Sequence, residues 1–551
     1  MCYAEFSARV PHAGSAYVYC YTTVGEIIAF FVGWNLILEY IIGTASIAKG
    51  VSVYIDTLTN NKTIASHFEQ LFPIELPSLS PFFDFIAFSV SIFAAGNVKS
   101  FKVLDIIIVS LTAILAVGVK ESALFTNILT AINLLVVLFV TVSGLIKFQN
   151  FENWKLPPHN GDKGGFFPFG FVGLVKGAAR GFYGFVGFDA IATAGDEAIN
   201  PQRYIPISLF LSLLVVLFSF IGTSVASTLM QPYYEQTGNA PLANLFVHVG
   251  FPAGRYIVAI GALANLTTAI VATFFPLPRV IFAMASDGLL PKFFSIINRN
   301  RRTPIIATFF GGIFIGIMAA LFTIAELADM MSIGTLLAYS LVALSILILR
   351  YQNDKRQDEE QIEMELQPFT YVTQSVEVIN QEISPEPKYF WQFFCSSTLS
   401  RPTAMSAKIS NILIFMICLL VIAFVSFLHF MENELFKLEK YAIVLALTLL
   451  LLLIAAMILL QRLPQARCEL SFKVPCLPFF PVLSMFFNIY LMTKLDPLTW
   501  FRFIVWLIIG FLMYFSYGIF VSTGYLTESE KSQKEEERRR LTSSSLDEPQ
   551  I

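Results

Sequence analysis

The chain has 551 residues, of which 56% are hydrophobic and only 14% are charged, against roughly 25% charged residues in soluble domains. A soluble or disordered protein of this length could not keep so much apolar side chain away from water. The apolar runs are continuous rather than alternating, so the composition predicts an all-α polytopic membrane protein whose surroundings are the lipid bilayer. The net charge of −3 argues against nucleic acid as the main partner.

Apolar runs long enough for a membrane helix of about 20 residues recur along the chain. The first run follows an N-terminal segment that resembles the end of a helix. This segment lacks the charged region, short apolar core and cleavage site of a signal peptide, so none is predicted. The run 84–118 is interrupted by polar residues near its middle and is counted as one irregular crossing. The predicted spans are 15–48, 84–118, 122–147, 180–199, 204–230, 255–285, 304–324, 326–350, 408–430, 440–462, 476–494 and 499–521.

Basic residues in the loops predict the orientation, because Lys and Arg concentrate on the cytosolic side of membrane proteins. Three basic segments fall on one side when the spans alternate, and this side is therefore cytosolic. The opposite loop, 49–80, is then extracellular, and Asn61 in Asn61-Lys62-Thr63 is a predicted glycosylation site. The basic segments hold Lys292, Arg299, Arg301, Arg302; Arg462, Arg467, Lys473; and Lys531, Lys534 and Arg538 to Arg540.

The polar segments divide the chain into four parts. Residues 1–350 form the first set of spans, 351–407 a charged cytosolic loop, 408–521 four further membrane helices, and 522–551 a cytosolic tail. The loop and the tail have the composition of solvated, disordered chain. The tail also carries serines 543–545 after a basic triplet. Phosphorylation of these serines is a less favoured hypothesis than a simple solvated tail.

Ionisable residues inside a membrane span are expensive, so each one marks a candidate site. Glu26 lies about twelve residues into the first predicted span, which is roughly 18 Å along a helix axis. This spacing predicts a carboxylate near the middle of the membrane. It would either pair with a cationic substrate or have a structural role, as an ion pair or as a hydrogen bond to an Asn or backbone group of a neighbouring helix.

The segment from Gly181 to Gln202 combines several glycines with an acid, Asp189. Glycine makes a break in a helix cheap and allows close approach of a ligand or another backbone. A broken helix offers free carbonyl groups to an ammonium group and free amides to a carboxylate. Tight packing of helices through small residues is the alternative explanation, but packing does not account for Asp189.

A third candidate region runs from Gly261 to Pro291. Asn265, Thr267 and Thr268 give a polar patch at mid-depth, and Pro276 with Pro278 predicts a kink or break. Hydroxyls in membrane helices often bond only to their own backbone, so these residues have a structural reading as well. Asn133, in the span 122–147, is a weaker candidate of the same kind.

The sequence contains none of the common catalytic patterns. There is no Walker A loop, no H-E-x-x-H and no nucleophile elbow, so neither an enzyme nor a cofactor is predicted. The six cysteines show no C-x-x-C spacing and are read as free thiols, and no metal site is expected. Any transport would therefore be driven by gradients or by the membrane potential.

Long, ordered motifs in the chain resemble those of the eukaryotic cationic amino-acid transporters, in the amino acid–polyamine–organocation (APC) superfamily. The resemblance covers most of the chain and fails mainly in loops and in the region 84–105. The motifs are CYAEFSARVPHAGSAYVYCYTTVGE, GWNLILEYIIGTASIAKG, GVKESA, FVGFDAIATAGDEAINPQ, FFPLPRVIFAMASDGLL, MSIGTLLAYSLVA and FKVPCLPFFPVLSMFFNIYLMTKLDPLTWFRFIVW.

The resemblance implies a transporter core of five plus five helices in an inverted repeat, followed by four C-terminal helices. Substrate would bind between the unwound first and sixth helices. It implies uptake of arginine, lysine and ornithine at the plasma membrane without sodium, driven by the membrane potential. The chain departs from the family at its start, which corresponds to the end of the second helix, so we expect a core that lacks the first helix.

The resemblance also implies roles for individual residues. The sixth helix would be residues 181–198, unwound at the substrate site, and Gly187 would be among the substrate-binding residues. Glu26 matches the carboxylate of the family's third helix, and Asn133 falls where proton-coupled bacterial relatives have a lysine, as expected of a uniporter. The carbonyl groups expected to hold the substrate ammonium, beside Asp189, are those of Tyr183, Gly184 and Val186.

Other hypotheses remain open at this point. The chain could be a short isoform or incomplete sequence that does not transport alone, an amino-acid sensor, or a partner of another transporter. Within transporters, the alternatives are a carrier of neutral amino acids or polyamines and a lysosomal member. The sequence does not give the rank order of substrates or the oligomeric state.

Overall fold

A computed structural model gives the structure of most of the chain. Two predicted site residues, Asp189 and Asn61, lie outside the described residues, as do the tail 522–551 and almost all of the loop 351–407. The structure describes residues 1–9, 17, 20, 25–58, 68–70, 73–74, 79–95, 123–159, 162–188, 191, 200–236, 240–297, 304–352, 402, 404–437, 439–466 and 472–521.

The described residues are almost entirely helical. Short 3-10 and π turns join some helices, and within this part of the chain the β-structure is limited to one isolated bridge, Pro73 with Phe82. The predicted all-α fold is therefore confirmed. The helices are α1 Cys2–Arg9, α2 Glu26–Leu58, α3 Phe85–Ala95, α4 Ala123–Val142, α5 Gly170–Gly181, α6 Pro201–Met230, α7 Pro241–His248, α8 Pro252–Phe274, α9 Pro276–Ser286, α10 Ile305–Leu321, α11 Ile324–Tyr351, α12 Ala404–Phe430, α13 Glu432–Phe436, α14 Lys440–Gln461, α15 Phe479–Met492, α16 Pro497–Met513 and α17 Ile519–Val521.

Most of the predicted spans correspond to apolar helices. Among the described residues, eight segments are long and apolar enough to cross a membrane, and two shorter apolar helices, α10 and α15, match two further predicted spans. The predicted spans 84–118 and 180–199 are described only in part. The eight segments are Glu26–Leu58, Asn127–Lys147, Arg203–Met230, Pro252–Ser286, Ile324–Tyr351, Met405–Phe430, Lys440–Gln461 and Pro497–Val521.

The first long helix begins and ends later than its predicted span, 15–48. The backbone of Gly25 has a φ of +118°, outside the right-handed helical range, and α2 starts at Glu26 and continues to Leu58. The prediction that Glu26 lies twelve residues into a helix is therefore wrong. Glu26 is in the first turn of α2, where the positive end of the helix dipole favours a carboxylate.

The chain divides into two compact units. One contains residues 1–25, 191–211 and 336–495, and the other contains 26–190, 212–335 and 496–551. In the second unit α2 is buried along most of its length and contacts α3, α8, α9 and α10. A helix that is apolar around its whole circumference must be surrounded in this way. In the first unit α12 packs against α14 and α15.

A buried ion pair anchors α1 within the first unit. Glu5, which is fully buried, accepts hydrogen bonds from Nε and Nη2 of Arg350 at 2.7 and 3.1 Å and from the Val474 N–H at 2.7 Å. The carbonyl group of Arg350 in turn accepts the Ala466 N–H at 2.9 Å. The geometry satisfies both carboxylate oxygens, which is the condition under which a buried ion pair is tolerated.

A second buried ion pair lies in the other unit, where α2 meets the start of α3. Lys49 Nζ is 3.0 Å from Asp84 Oδ2, and the two side chains are only 7% and 3% exposed. Asp84 Oδ1 also accepts hydrogen bonds from the Ser52 hydroxyl and the Ala87 N–H, each at 2.9 Å. Asp84 therefore holds a cation and the first turn of α3 at once.

Two tryptophans join α2 to α16 in the same unit. Their rings stack with centroids 4.3 Å apart, and the indole of Trp34 donates to the Trp506 carbonyl at 2.9 Å while that of Trp506 donates to the Trp34 carbonyl at 3.3 Å. A side chain at Gly510 would meet the Trp34 ring at 2.4 Å, so glycine is required there for this close contact.

The predicted break at Pro276 and Pro278 is also present. Helix α8 ends at Phe274, and α9 begins with Pro276 in its first position, where proline costs no hydrogen bond. Phe275 keeps nearly helical angles, so the break is local.

Candidate functional site

The glycine-rich segment leaves the α-helical conformation within the part that the structure describes. Helix α5 ends at Gly181, a 3-10 turn covers Phe182–Phe185, Val186 is extended, and Gly187 has a φ of +116°. The amide of Val186 donates to the Tyr183 carbonyl at 3.3 Å, so this carbonyl is already partly satisfied. An interrupted helix of this kind exposes backbone groups that a continuous helix would use internally.

The glycines of this segment have different physical roles. Position 187 requires glycine because its backbone has a positive φ, which would strain any other residue. At Gly184 a side chain would lie 2.7 Å from the Phe220 ring, so close packing explains this glycine at least as well as ligand access does. The two explanations considered for these glycines therefore both apply: a break in the helix at Gly187 and close packing at Gly184.

The interrupted segment is tied to α2 by a hydrogen bond between hydroxyl groups. The Tyr183 hydroxyl lies 2.6 Å from the hydroxyl of Ser46, which is buried in the middle of α2. This contact fixes the Tyr183 ring against a long, well-packed helix. The sequence predicted a role for the Tyr183 backbone but not for its side chain.

Acidic and amide side chains in α2 have unequal surroundings. Glu26 is half-buried and its Oε1 accepts a hydrogen bond from the Tyr514 hydroxyl at 3.1 Å. Glu39 is almost fully buried farther along the helix. Asn35 donates to the Phe31 carbonyl at 2.7 Å, while its amide oxygen has no partner among the described residues. The deepest carboxylate of α2 is thus Glu39 rather than Glu26.

The polar patch on α8 is turned mostly to its own helix. Thr267 donates to the Leu263 carbonyl at 2.7 Å, and Thr268 donates to the Asn265 carbonyl at 2.8 Å. Their hydroxyl protons are therefore committed, and only the oxygen lone pairs remain for a ligand. Helices α4 and α8 contact each other, and Asn133 and Asn265 are both half-buried.

The structure also assembles a charged cluster that the sequence did not reveal. Arg180, in the last turn of α5, bonds to Asp329 on α11 at 3.2 and 3.3 Å and to Asp496, the residue before α16, at 2.8 Å. Arg502 bonds to Glu326 at 3.0 Å beside it. These partners are far apart in sequence, and no spacing rule could have paired them.

Other chemistry is sparse in the described part of the chain. No group of three His, Cys, Asp or Glu side chains there is arranged to hold a metal ion. The cysteines that the structure describes are free thiols, namely Cys2, Cys20, Cys418 and Cys476.

Comparison with known proteins gives the family. Residues 1–379 match the amino acid permease family, and residues 472–522 match the C-terminus of that permease. The chain is 32% identical to "Cationic amino acid transporter 4" of Mus musculus, covering 95% of this chain and 79% of that protein.

Two plant proteins are similar over nearly the same range. "Cationic amino acid transporter 2, vacuolar" of Arabidopsis thaliana is 31% identical over 94% of this chain and 81% of its own length. "Cationic amino acid transporter 3, mitochondrial" of the same organism is 30% identical over 96% of this chain and 85% of its own length. The chain is therefore a multi-pass membrane protein that belongs to the amino acid permease family of the APC superfamily, as a relative of the cationic amino acid transporters.

Proposed function

We propose that this permease carries cationic L-amino acids, namely arginine, lysine and ornithine, across the plasma membrane without sodium. The observation that supports this most is the interrupted helix 181–187, in a chain whose relatives are named cationic amino acid transporters. Helix interruptions of this kind supply the substrate contacts of many secondary transporters.

The substrate ammonium would be held by backbone carbonyl groups at Tyr183, Gly184, Val186 and Gly187, with Asp189 beside them. A carbonyl group that does not serve a helix is a strong acceptor for an ammonium group, because the amide dipole directs negative charge toward it. Glu26, Asn133, Asn265, Thr267 and Thr268 would contribute polar contacts. The hydroxyls of Thr267 and Thr268 would act as acceptors, since both already donate to their own helix.

The driving force would be the membrane potential. The sequence carries no ATP-binding loop, and a potential that is negative inside favours entry of a monovalent cation by about 2.3 kcal/mol per 100 mV. Neutral Asn133 fits this uniport mechanism, because a lysine at its position would supply a titratable proton carrier. Coupling to sodium or protons is not required.

Electrical recording tests the proposal directly. The chain would be expressed in a cell with low background transport, labelled at the surface, and exposed to arginine at stepped voltages. We expect an inward current that grows with hyperpolarisation and survives replacement of sodium by choline, with lysine and ornithine competing. A sodium-dependent current, or a response to leucine or spermidine instead of arginine, would contradict the proposed mechanism or substrate class.

Location needs a separate measurement, because relatives include proteins named vacuolar and mitochondrial. Imaging of the tagged full chain together with markers of the plasma membrane and the lysosome would test the plasma-membrane assignment. Surface protein that binds arginine but gives neither current nor tracer uptake would favour an amino-acid sensor or partner over a transporter.

A further inference from the structure

The charged cluster around Arg180 lies directly beside the interrupted segment. Arg180 is the residue before Gly181, where the α-helical conformation ends, and its guanidinium contacts carboxylates from two other places in the fold. Nε and Nη2 bond to Asp329 at 3.2 and 3.3 Å, and Nη2 also bonds to Asp496 at 2.8 Å. Any rearrangement of the interrupted segment must therefore break or carry along these three contacts.

A neighbouring ion pair joins the same two helix ends without Arg180. Arg502, on α16, bonds to Glu326, on the first turn of α11, at 3.0 Å, and Glu326 also accepts the Thr323 N–H at 2.9 Å. The starts of α11 and α16 would thus stay together if Arg180 moved away. The five groups together carry a charge of −1, and the four that remain without Arg180 would carry −2, with Arg502, already bonded to Glu326, as the cation nearby.

The burial of Asp329 means that only another cation can readily replace Arg180 as its partner. The side chains of Arg180 and Asp496 are 60% and 56% exposed, so contact between them is weak and readily broken in water. The Asp329 side chain is only 8% exposed, and a buried carboxylate that loses its partner is strongly destabilised. Departure of Arg180 therefore becomes favourable when a second cation takes its place.

The orientation predicted from the loop charges puts this cluster on the outer side. Residues 351–407 are predicted to be cytosolic, so Ile324, at the other end of α11, faces the exterior together with the start of α16. A substrate arriving from outside would meet these carboxylates before it reached the interrupted helix.

We propose that Asp329 and Asp496 form an outer cation-binding site, occupied in this structure by Arg180, at which the guanidinium or alkylammonium side chain of an arriving amino acid replaces that of Arg180. The exchange frees the interrupted segment to move and admits cationic substrates in preference to neutral ones. The inference rests on the transport function proposed above and adds a selecting step in front of the main binding site.

Uptake kinetics give the first test. Asp496→Asn removes one exposed contact, and we expect the KM for arginine to rise about fivefold, the size of one such ion pair. Asp329→Asn should raise it further. Glu326→Gln is the matched control, because it removes a carboxylate from the same helix turn without touching Arg180, and it should leave KM within about twofold. An unchanged KM in surface-labelled Asp496→Asn would overturn the site.

A second test does not depend on transport. Val186→Cys, in the interrupted segment, would be labelled from outside with a membrane-impermeant methanethiosulfonate, and the chain without this change reports the native thiols. We expect Arg180→Gln to raise the labelling rate several-fold, and saturating arginine, but not leucine, to raise it in the chain with native Arg180. Rates that respond to neither change would contradict the proposal.

The two tests separate failure of the site from failure of transport. Absent uptake with labelling that responds to arginine would remove the transport function and keep the cation site. Normal uptake, with the KM of Asp496→Asn unchanged and labelling indifferent to Arg180→Gln, would keep the transport function and remove the site.

Discussion

Helix α2 differs in its charges and glycines from residues 170–187, which comprise α5 and the interrupted segment 181–187. Helix α2 is continuous over 33 residues, is buried, and holds the Lys49–Asp84 pair almost out of contact with water. The segment 170–187 changes conformation at Gly181 and Gly187 and holds Arg180 with its side chain mostly exposed. The Lys49–Asp84 pair is fixed by burial, whereas the contacts of Arg180 are open to water, as the proposed exchange requires. The difference suggests which ion pairs are structural and which take part in function.

The largest expected effect comes from breaking the buried pair of α2. Asp84→Ala would leave Lys49 buried without its partner and remove the cap of α3, so we expect a loss of about 3–5 kcal/mol in folding stability. Thermal unfolding of the protein in detergent measures it. The double variant Lys49→Met with Asp84→Leu should recover much of the loss, and equal instability of both variants would refute the ion-pair explanation.

A smaller effect is expected from the conformation of the interrupted segment. Gly187→Ala must adopt a φ of +116°, at a cost of about 1–3 kcal/mol, and should reduce arginine uptake because the segment would shift toward helix. Gly177→Ala is the matched control, since Gly177 lies in α5 and, apart from its chain neighbours and its own helix backbone, no described atom lies within 4 Å of an added Cβ. Alanine there should stabilise α5 by roughly 0.5–1 kcal/mol. Equal uptake by both variants would contradict the assigned role of the Gly187 backbone.

Substitutions at two acidic residues, Asp189 and Glu26, test the proposed substrate contacts through transport measurements alone. Asp189→Asn and Glu26→Gln should each depress arginine uptake without preventing membrane insertion, because a cationic substrate loses a negative partner. Tyr514→Phe removes the hydroxyl that bonds to Glu26 and should have a lesser effect on uptake, as it leaves the charge in place. Tracer uptake normalised to surface protein measures all three. Normal uptake in both acid variants would refute the proposed site.

The smallest effect concerns a loop outside the predicted spans. The backbone N–H of His159 and the Tyr233 hydroxyl both donate to Asp162, which lowers the pKa of this carboxyl and raises the pKa of Tyr233 to about 12. The contact therefore contributes its full stability between about pH 4 and pH 10, the unfolded pKa values of Asp and Tyr. This stability is lost as the pH falls through the lowered pKa of Asp162, and it is also lost as the pH rises through the raised pKa of Tyr233. Tyr233→Phe should lower the melting temperature slightly and by the same amount at pH 6 and pH 8.

The helices were largely predictable from the sequence because apolar length alone determines where a chain can cross a bilayer. Ten of the predicted spans correspond to eight long and two shorter apolar helices. The start of α2 was misplaced since Gly25, with its positive φ, interrupts an apolar stretch that hydropathy reads as continuous. A single glycine carries little weight in a hydropathy average, although α2 begins only after it.

The site was predictable only where the signal is local. The clustered glycines correctly indicated the departure from α-helix after Gly181. The partners of Arg180 lie 149 and 316 residues away along the chain, and the Ser46–Tyr183 contact joins residues 137 apart. Such pairs depend on how helices pack, which the spacing of residues within one helix does not encode. The hydroxyls of Thr267 and Thr268 turned to their own backbone, the alternative that residue type alone could not exclude.

The contacts of Glu5 also bear on how the first unit opens. One carboxylate receives hydrogen bonds from the end of α11 and from the irregular segment at Val474, so neither can separate without exposing a buried charge. The Val474 amide should therefore exchange its hydrogen with solvent as slowly as amides of the adjoining helix, although it lies in a loop. Residues 1–9, the end of α11 and the segment around 474 would then behave as a single cooperative opening unit, and Glu5→Gln would release all three together.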